Sequence, residues 1–306
     1  MAGLKRRAFR ARALYRALVV VSAIGRRIPL PFGQFLGRQL GRLAWHVARR
    51  ERRKALANLA VAFPEWIASR RRDAVRGMFR HLGMCVFELA WLPNLTAGNR
   101  AETTEVIGIA PVMALIDSGK GVVVFTAHCG NWEWLSFVTG TFGRPVSVLQ
   151  RERDQPEMNR YITGLRAKAG VHTIDRGSGS SARDMIQIIR RGGMLAFVVD
   201  QNIRTESVRI PFFGRDALTP IGPAKLAVRL EAAVVVAYAE RLPNGRHRLT
   251  FQPPIQCTRG DDPAALIARV TTEIEAHIRR VPDQWVWMHD RWRDRPQWDV
   301  TEEREG

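Results

Sequence analysis

Cysteines, acidic side chains and long apolar runs are all scarce in this 306-residue chain, and each scarcity removes a class of protein. The three cysteines, Cys85, Cys129 and Cys257, stand apart with no CxxC spacing. That excludes a zinc ribbon or a disulfide framework and suits a reducing compartment. Cys129 reads as a small space-filler. The longest apolar stretch covers residues 17–24 between Arg16 and Arg26. A spanning helix needs roughly 17–25 apolar residues, so this run falls short. It also lacks the small-residue cleavage site of an export signal. A helix lying in the lipid interface fits it better. Linkers, low-complexity tracts and internal repeats are missing too, which favours one catalytic domain over residues 61–306 and a helical extension over residues 1–60.

The shortage of acids is uneven. Lysine and arginine number 48 against 29 acids, a formal charge of +19, and no acid precedes Glu51, whereas basic residues run from Lys5 to Arg50. Either an arginine-rich coding bias or an anionic partner accounts for this. A basic segment interleaved with apolar residues reads as a membrane-associating element for an anionic surface. Nucleic acid is the rival partner, but zinc-finger, RNP and basic-zipper patterns are absent. A membrane surface, and no nucleic acid, is the expectation. With no export signal, the globular part is expected at the cytoplasmic face.

Through the centre, short apolar runs alternate with helical spacing. Strands are predicted at 122–125, 146–150, 171–174, 194–199, 234–239 and 249–252. Helices are predicted at 32–62, 68–92, 158–169, 182–191, 222–230 and 266–279, with residues 106–118 helical in part. This alternation predicts an α/β fold with a mostly parallel central sheet covered by helices on both faces.

Chemistry in such folds collects where a strand ends and a helix begins. The run Val122–Phe125 leads to His128, and five residues later Glu133 opens a helix behind the turn Gly130-Asn131. A histidine there can work as a base near neutral pH, and a carboxylate in a helix's first turn is favoured as an anion. The expected pair is therefore His128 as general base and Glu133 as the group that orients the imidazole. No serine or cysteine stands where His128 could activate it, so the nucleophile is expected to be a substrate hydroxyl. Asn131 or nearby backbone amides would donate to the developing oxyanion. Asp200 ends the strand 194–199 and either caps a turn or serves the site. Arg151 and Arg153 follow another strand and either bind phosphate groups, which arginine forks suit, or are surface charge.

His-Cys-Gly-Asn-Trp-Glu resembles the HX4(D/E) box of glycerolipid acyltransferases, most closely that of the bacterial late acyltransferases of lipid A biosynthesis. The likeness continues through Asn58–Glu65, Val199-Asp200-Gln201, Ile210–Gly214, Thr219–Ala224 and the end box Pro282–Trp292. The resemblance implies an acyl carrier protein thioester as donor, a lipid A precursor hydroxyl as acceptor, and the inner membrane as location. It raises Asp200 and Arg166 to site residues, and it requires neither a cofactor nor a metal. It also allows a short N-terminal span, and other lipid acceptors such as lysophospholipid, ornithine lipid or phosphatidylinositol mannoside. Phe212 and Phe213 line either an acyl slot or the core. Trp285, Trp287 and Trp292 face either a lipid boundary or the sheet. His289 lacks a strand-end setting and is not expected to be catalytic.

Overall fold

Runs of valine build the centre of the sheet. In the computed structural model, which describes residues 19–20, 22–151, 156–177 and 179–293, every residue of β2 (Val122–Thr126) is buried. Beside it lie β5 (Met194–Val198) and β8 (Ala233–Arg241), the latter almost wholly buried. β-Branched side chains covered on two faces are what a parallel sheet between helix layers demands. The order is β1-β9-β8-β2-β5-β3-β4, where β1 is Thr104–Ile107, β3 Val146–Arg151, β4 Val171–Arg176 and β9 His247–Phe251. Strands β8, β2, β5, β3 and β4 run parallel, while β9 pairs antiparallel with β8 and parallel with β1. The protein is thus the mostly parallel α/β fold that the alternation predicts.

Three strand pairings lie outside the sequence reading: β1 runs into the start of a segment predicted as helical in part, β6 (Ser207–Phe212) pairs with β7 (Arg215–Pro220) as a separate hairpin, and the short β10 (Ile255–Gln256) pairs antiparallel with β8. Phe212, Phe213, Trp285 and Trp287 are all buried, and the two phenylalanines pack edge-on against these tryptophans. This box is core, joined to the hairpin by Arg291, which donates to Leu218 O and to Thr219 Oγ1.

The predicted helix over 32–62 is broken at Ala48 into α1 (Leu30–Val47) and α2 (Arg49–Ala62). The following helix, α3 (Ala68–Trp91), ends just before Pro93, which cannot continue it. α1 is turned inside out. Its buried face is Gly33, Gln34, Gly37 and Gly41, while Phe32, Phe35, Leu36, Leu40, Leu43 and Val47 are exposed. The glycines let two backbones touch: a Cβ on Gly41 would lie 2.2 Å from Phe79 O, and one on Gly37 would lie 2.5 Å from Gly83 O. The boundary expected near residue 60 falls inside α2, whose Asn58 donates to the carbonyls of Trp287 and His289 at 2.7 Å each. Residues 1–18, with half of the basic residues that precede Glu51, lie outside the described residues. Among the described residues no helix is long and apolar enough to cross a membrane.

Candidate active site

Register explains the site. Thr126 of β2 pairs with Val198 of β5, so His128 and Asp200 each stand two residues past a matched pair, on adjacent strands at the same edge. Parallel strands lie ~4.8 Å apart, which puts the two side chains within reach of each other. Asp200 Oδ1 accepts from His128 Nδ1 at 2.8 Å, and Oδ2 accepts from the His128 amide at 2.9 Å and the Trp285 indole at 2.6 Å. Burial disfavours the Asp200 anion, but the adjacent His128 ring and these donors outweigh it and hold the carboxyl below its usual range. An ionised carboxylate only accepts, so Nδ1 carries the proton and Nε2 keeps its lone pair. The His128 side chain is 23% exposed, against 1% for Asp200, and it lines a cleft, while its Nδ1 is taken up by Asp200.

Glu133 does not hold the imidazole. It is the second residue of α5 (Trp132–Gly140; α4 is the short helix Ile109–Asp117 before β2), and so belongs to the first turn of that helix. From there it turns toward α6 (Pro156–Lys168), where Arg166 Nη2 and Nε donate to its two oxygens at 2.6 and 2.9 Å. Arg166 Nη1 also donates to Gln150 Oε1 at 2.7 Å. Glu133 and Arg166 are both buried, and together they form a bidentate pair next to the dyad rather than part of it. The neighbour of the His128 ring on this side is Trp132, edge-on with ring centroids 5.0 Å apart.

Asn131 is a second correction. Its Oδ1 caps α5 by accepting from the Trp134 amide at 3.0 Å, and its Nδ2 donates to Glu88 Oε2 at 2.8 Å. Both ends of the amide are occupied and the residue is buried, so it fixes the loop and does not face substrate. Gly130 makes the turn at φ 64°, where a Cβ would sit 1.7 Å from Ala239 O. Cys129 is buried, and burial pushes its thiol well above the ordinary range, as befits a filler. Arg151 closes β3, but its side chain lies outside the described residues, as does Arg153 altogether.

The dyad opens on a cleft of about 1030 Å³ whose walls include His128, Trp132, Arg166, Arg176, Arg204 and His289. A narrower void of about 60 Å³ adjoins it between α5 and the sheet, lined by Val124, Leu135, Val146, Met194 and Phe251 among others. Trp132, Leu149, Arg166 and Val198 border both spaces. Behind the loop, Glu88 is fully buried against Arg241, His247 and Gln34. Burial opposes its charge, but His247 and Arg241 hold it well below the carboxylate range. Sequence patterns gave no sign of Trp285, Glu88 or Arg241 as site supports, because their partners lie 43 to 153 residues away.

An α/β sheet with a carboxylate-held imidazole at its carboxyl edge has the layout of an enzyme site suited to proton transfer. The profile of the family described as bacterial lipid A biosynthesis acyltransferase matches residues 5–294, and the chain belongs to that family. It is accordingly an acyltransferase. The chain is 24% identical over 264 residues to a lipid A biosynthesis acyltransferase of Haemophilus influenzae, covering 85% of this chain and 81% of that protein. It is 27% identical over 281 residues to the lipid A biosynthesis lauroyltransferase of Escherichia coli, covering 89% and 88%. A phosphatidylinositol mannoside acyltransferase of Mycobacterium tuberculosis matches at 27% over 194 residues, 60% of this chain and 58% of that protein.

Proposed function

We propose that the protein transfers a fatty acyl group from an acyl carrier protein thioester to a hydroxyl of a lipid A precursor, as a secondary chain. What carries the mechanism is the bond between His128 Nδ1 and Asp200, which leaves Nε2 as a base facing the cleft. Nε2 takes the acceptor proton as the hydroxyl oxygen attacks the thioester carbonyl. Asp200 stabilises the imidazolium that forms. Collapse expels the thiolate, which recovers the proton. Among the described residues no serine or cysteine side chain bonds the His128 ring, in keeping with direct transfer and no acyl-enzyme. The Glu133–Arg166 pair fixes the wall between the cleft and the apolar void, which would take part of the acyl chain.

The outward apolar row of α1 would seat the protein on the inner membrane, with its many cationic side chains toward anionic headgroups. The test is transfer of radiolabelled acyl groups from acyl carrier protein to a purified lipid A precursor. His128→Ala is expected to abolish transfer, and near-wild-type turnover in that variant would falsify the mechanism. The match to mannoside acyltransferases supports a second acceptor class. Transfer to phosphatidylinositol mannoside and none to the lipid A precursor would favour it.

A further inference from the structure

We infer that His289 is a second catalytic histidine, a neutral donor whose Nδ1–H stabilises the oxyanion formed at the thioester carbonyl. The inference rests on the acyl-transfer reading above. Its starting point is a tautomer. The Asn202 amide donates to His289 Nε2 at 2.9 Å, and a backbone N–H can only donate, so Nε2 is an acceptor. The proton of this ring therefore sits on Nδ1. That atom has no protein partner among the described residues, and the side chain forms part of the cleft wall with His128.

The position is fixed from both sides of the dyad. Asn202 lies two residues past Asp200 at the end of β5, and Val286, three residues before His289, donates its amide to His128 O at 3.1 Å. Asn58 holds the His289 carbonyl at 2.7 Å. Burial keeps the ring below the ordinary histidine pKa, so it stays a neutral donor and does not compete with His128 for the proton. The two rings thus have complementary tautomers in one cleft: His128 offers a lone pair and His289 offers a proton.

Several alternatives are already engaged. Asn131 is used at both ends, and the amides of His128, Gly130, Trp134 and Asn202 all have partners. The Arg166 guanidinium is committed to Glu133 and Gln150. In the step proposed here, the acceptor oxygen bonds to the carbonyl carbon while its proton passes to His128 Nε2. The carbonyl π pair moves onto oxygen, which then accepts from His289 Nδ1–H. When the pair returns, the carbon–sulfur bond breaks and the thiolate takes the proton from His128. His289 holds its own proton throughout.

Three substitutions separate the two ends of the ring. His289→Gln places an acceptor near the old Nε2 position for the Asn202 amide but no donor at Nδ1. His289→Asn does the reverse, and His289→Ala removes both. Steady-state transfer from dodecanoyl acyl carrier protein is measured with both substrates varied, alongside thermal unfolding. His289→Gln is expected to melt like wild type, keep KM, and lose roughly 10²–10³-fold in kcat, as for one oxyanion donor. His289→Asn is expected to exceed His289→Ala in kcat. A His289→Gln enzyme with wild-type kcat makes the ring a brace for Asn202 and overturns the proposal. So does a deficit confined to KM, or an asparagine variant no better than alanine. No transfer by the wild-type enzyme takes down the acyl-transfer reading as well, whereas these other outcomes leave it standing.

Discussion

Asp200→Asn keeps the shape of the group on the His128 ring and changes what that group can do. A carboxamide can donate to Nδ1, which would leave the proton on Nε2 and disarm the base. The expected loss is roughly 10²–10⁴-fold in kcat with an unchanged far-UV spectrum. Glu133→Ala should behave differently, because Glu133 balances a buried guanidinium. Leaving Arg166 uncompensated is expected to cost about 3–5 kcal/mol of stability. Urea unfolding would show it, and Glu133→Ala/Arg166→Met should regain much of the loss. If the single variant is as stable as wild type, the pair is not a structural unit. The sequence disclosed His128 because a buried strand runs up to it. It misassigned the partner because spacing along the chain favours Glu133, while the register of β2 against β5 brings Asp200 in from 72 residues away.

At the scale of elements, α1 shows what periodicity can and cannot say. The stripe Phe35, Leu36, Leu40, Leu43 is visible as spacing, but spacing does not reveal which side meets the protein. Here the answer lies in the glycines, whose bare Cα atoms allow contact with the α3 backbone. Small residues that let helices touch are common where hydrophobic burial between helices is not the driving force. Gly41→Leu should force α1 off α3, because overpacking costs about 1–3 kcal/mol even where side chains alone must shift. Here the neighbouring atom is a carbonyl. Loss of α1 protection in hydrogen exchange would be the readout. Leu40→Glu/Leu43→Glu should spare the fold and weaken flotation with anionic liposomes, and undiminished flotation would remove α1 from the membrane surface. The five inner strands were legible because each is a short apolar run. β1 and the β6–β7 hairpin were not, since half-exposed residues carry no comparable signal.

For the molecule as a whole, buried neutral histidines set the response to acid. Burial, chiefly, lowers the pKa of His81 to about 3 and that of His277 to about 4. The unfolded chain takes up protons near pH 6.5 that the folded protein refuses. Stability is therefore full above that value and declines as pH falls, by roughly 1.4 kcal/mol per unit for each histidine until its folded pKa is reached. Glu88 and Asp200 act lower, their contributions being lost as pH drops below the ordinary carboxylate range. Denaturant titrations at pH 7 and pH 5 should differ, and His277→Gln should shrink that difference by about 2 kcal/mol. An unchanged difference would show that His277 is already protonated when folded. No sequence pattern foretold this, because neutrality comes from burial and from cations such as Arg241 and Arg280 packed nearby.

The exposed row on α1 also determines how the acceptor should be counted. With Phe32, Phe35, Leu36 and Leu43 seated in an amphiphile layer, as proposed, enzyme and acceptor meet by lateral diffusion in a plane. The governing variable is then the mole fraction of acceptor in that layer rather than moles per litre. Adding inert detergent at fixed bulk acceptor would slow transfer by surface dilution, and a truncated, freely diffusing enzyme would escape that slowing.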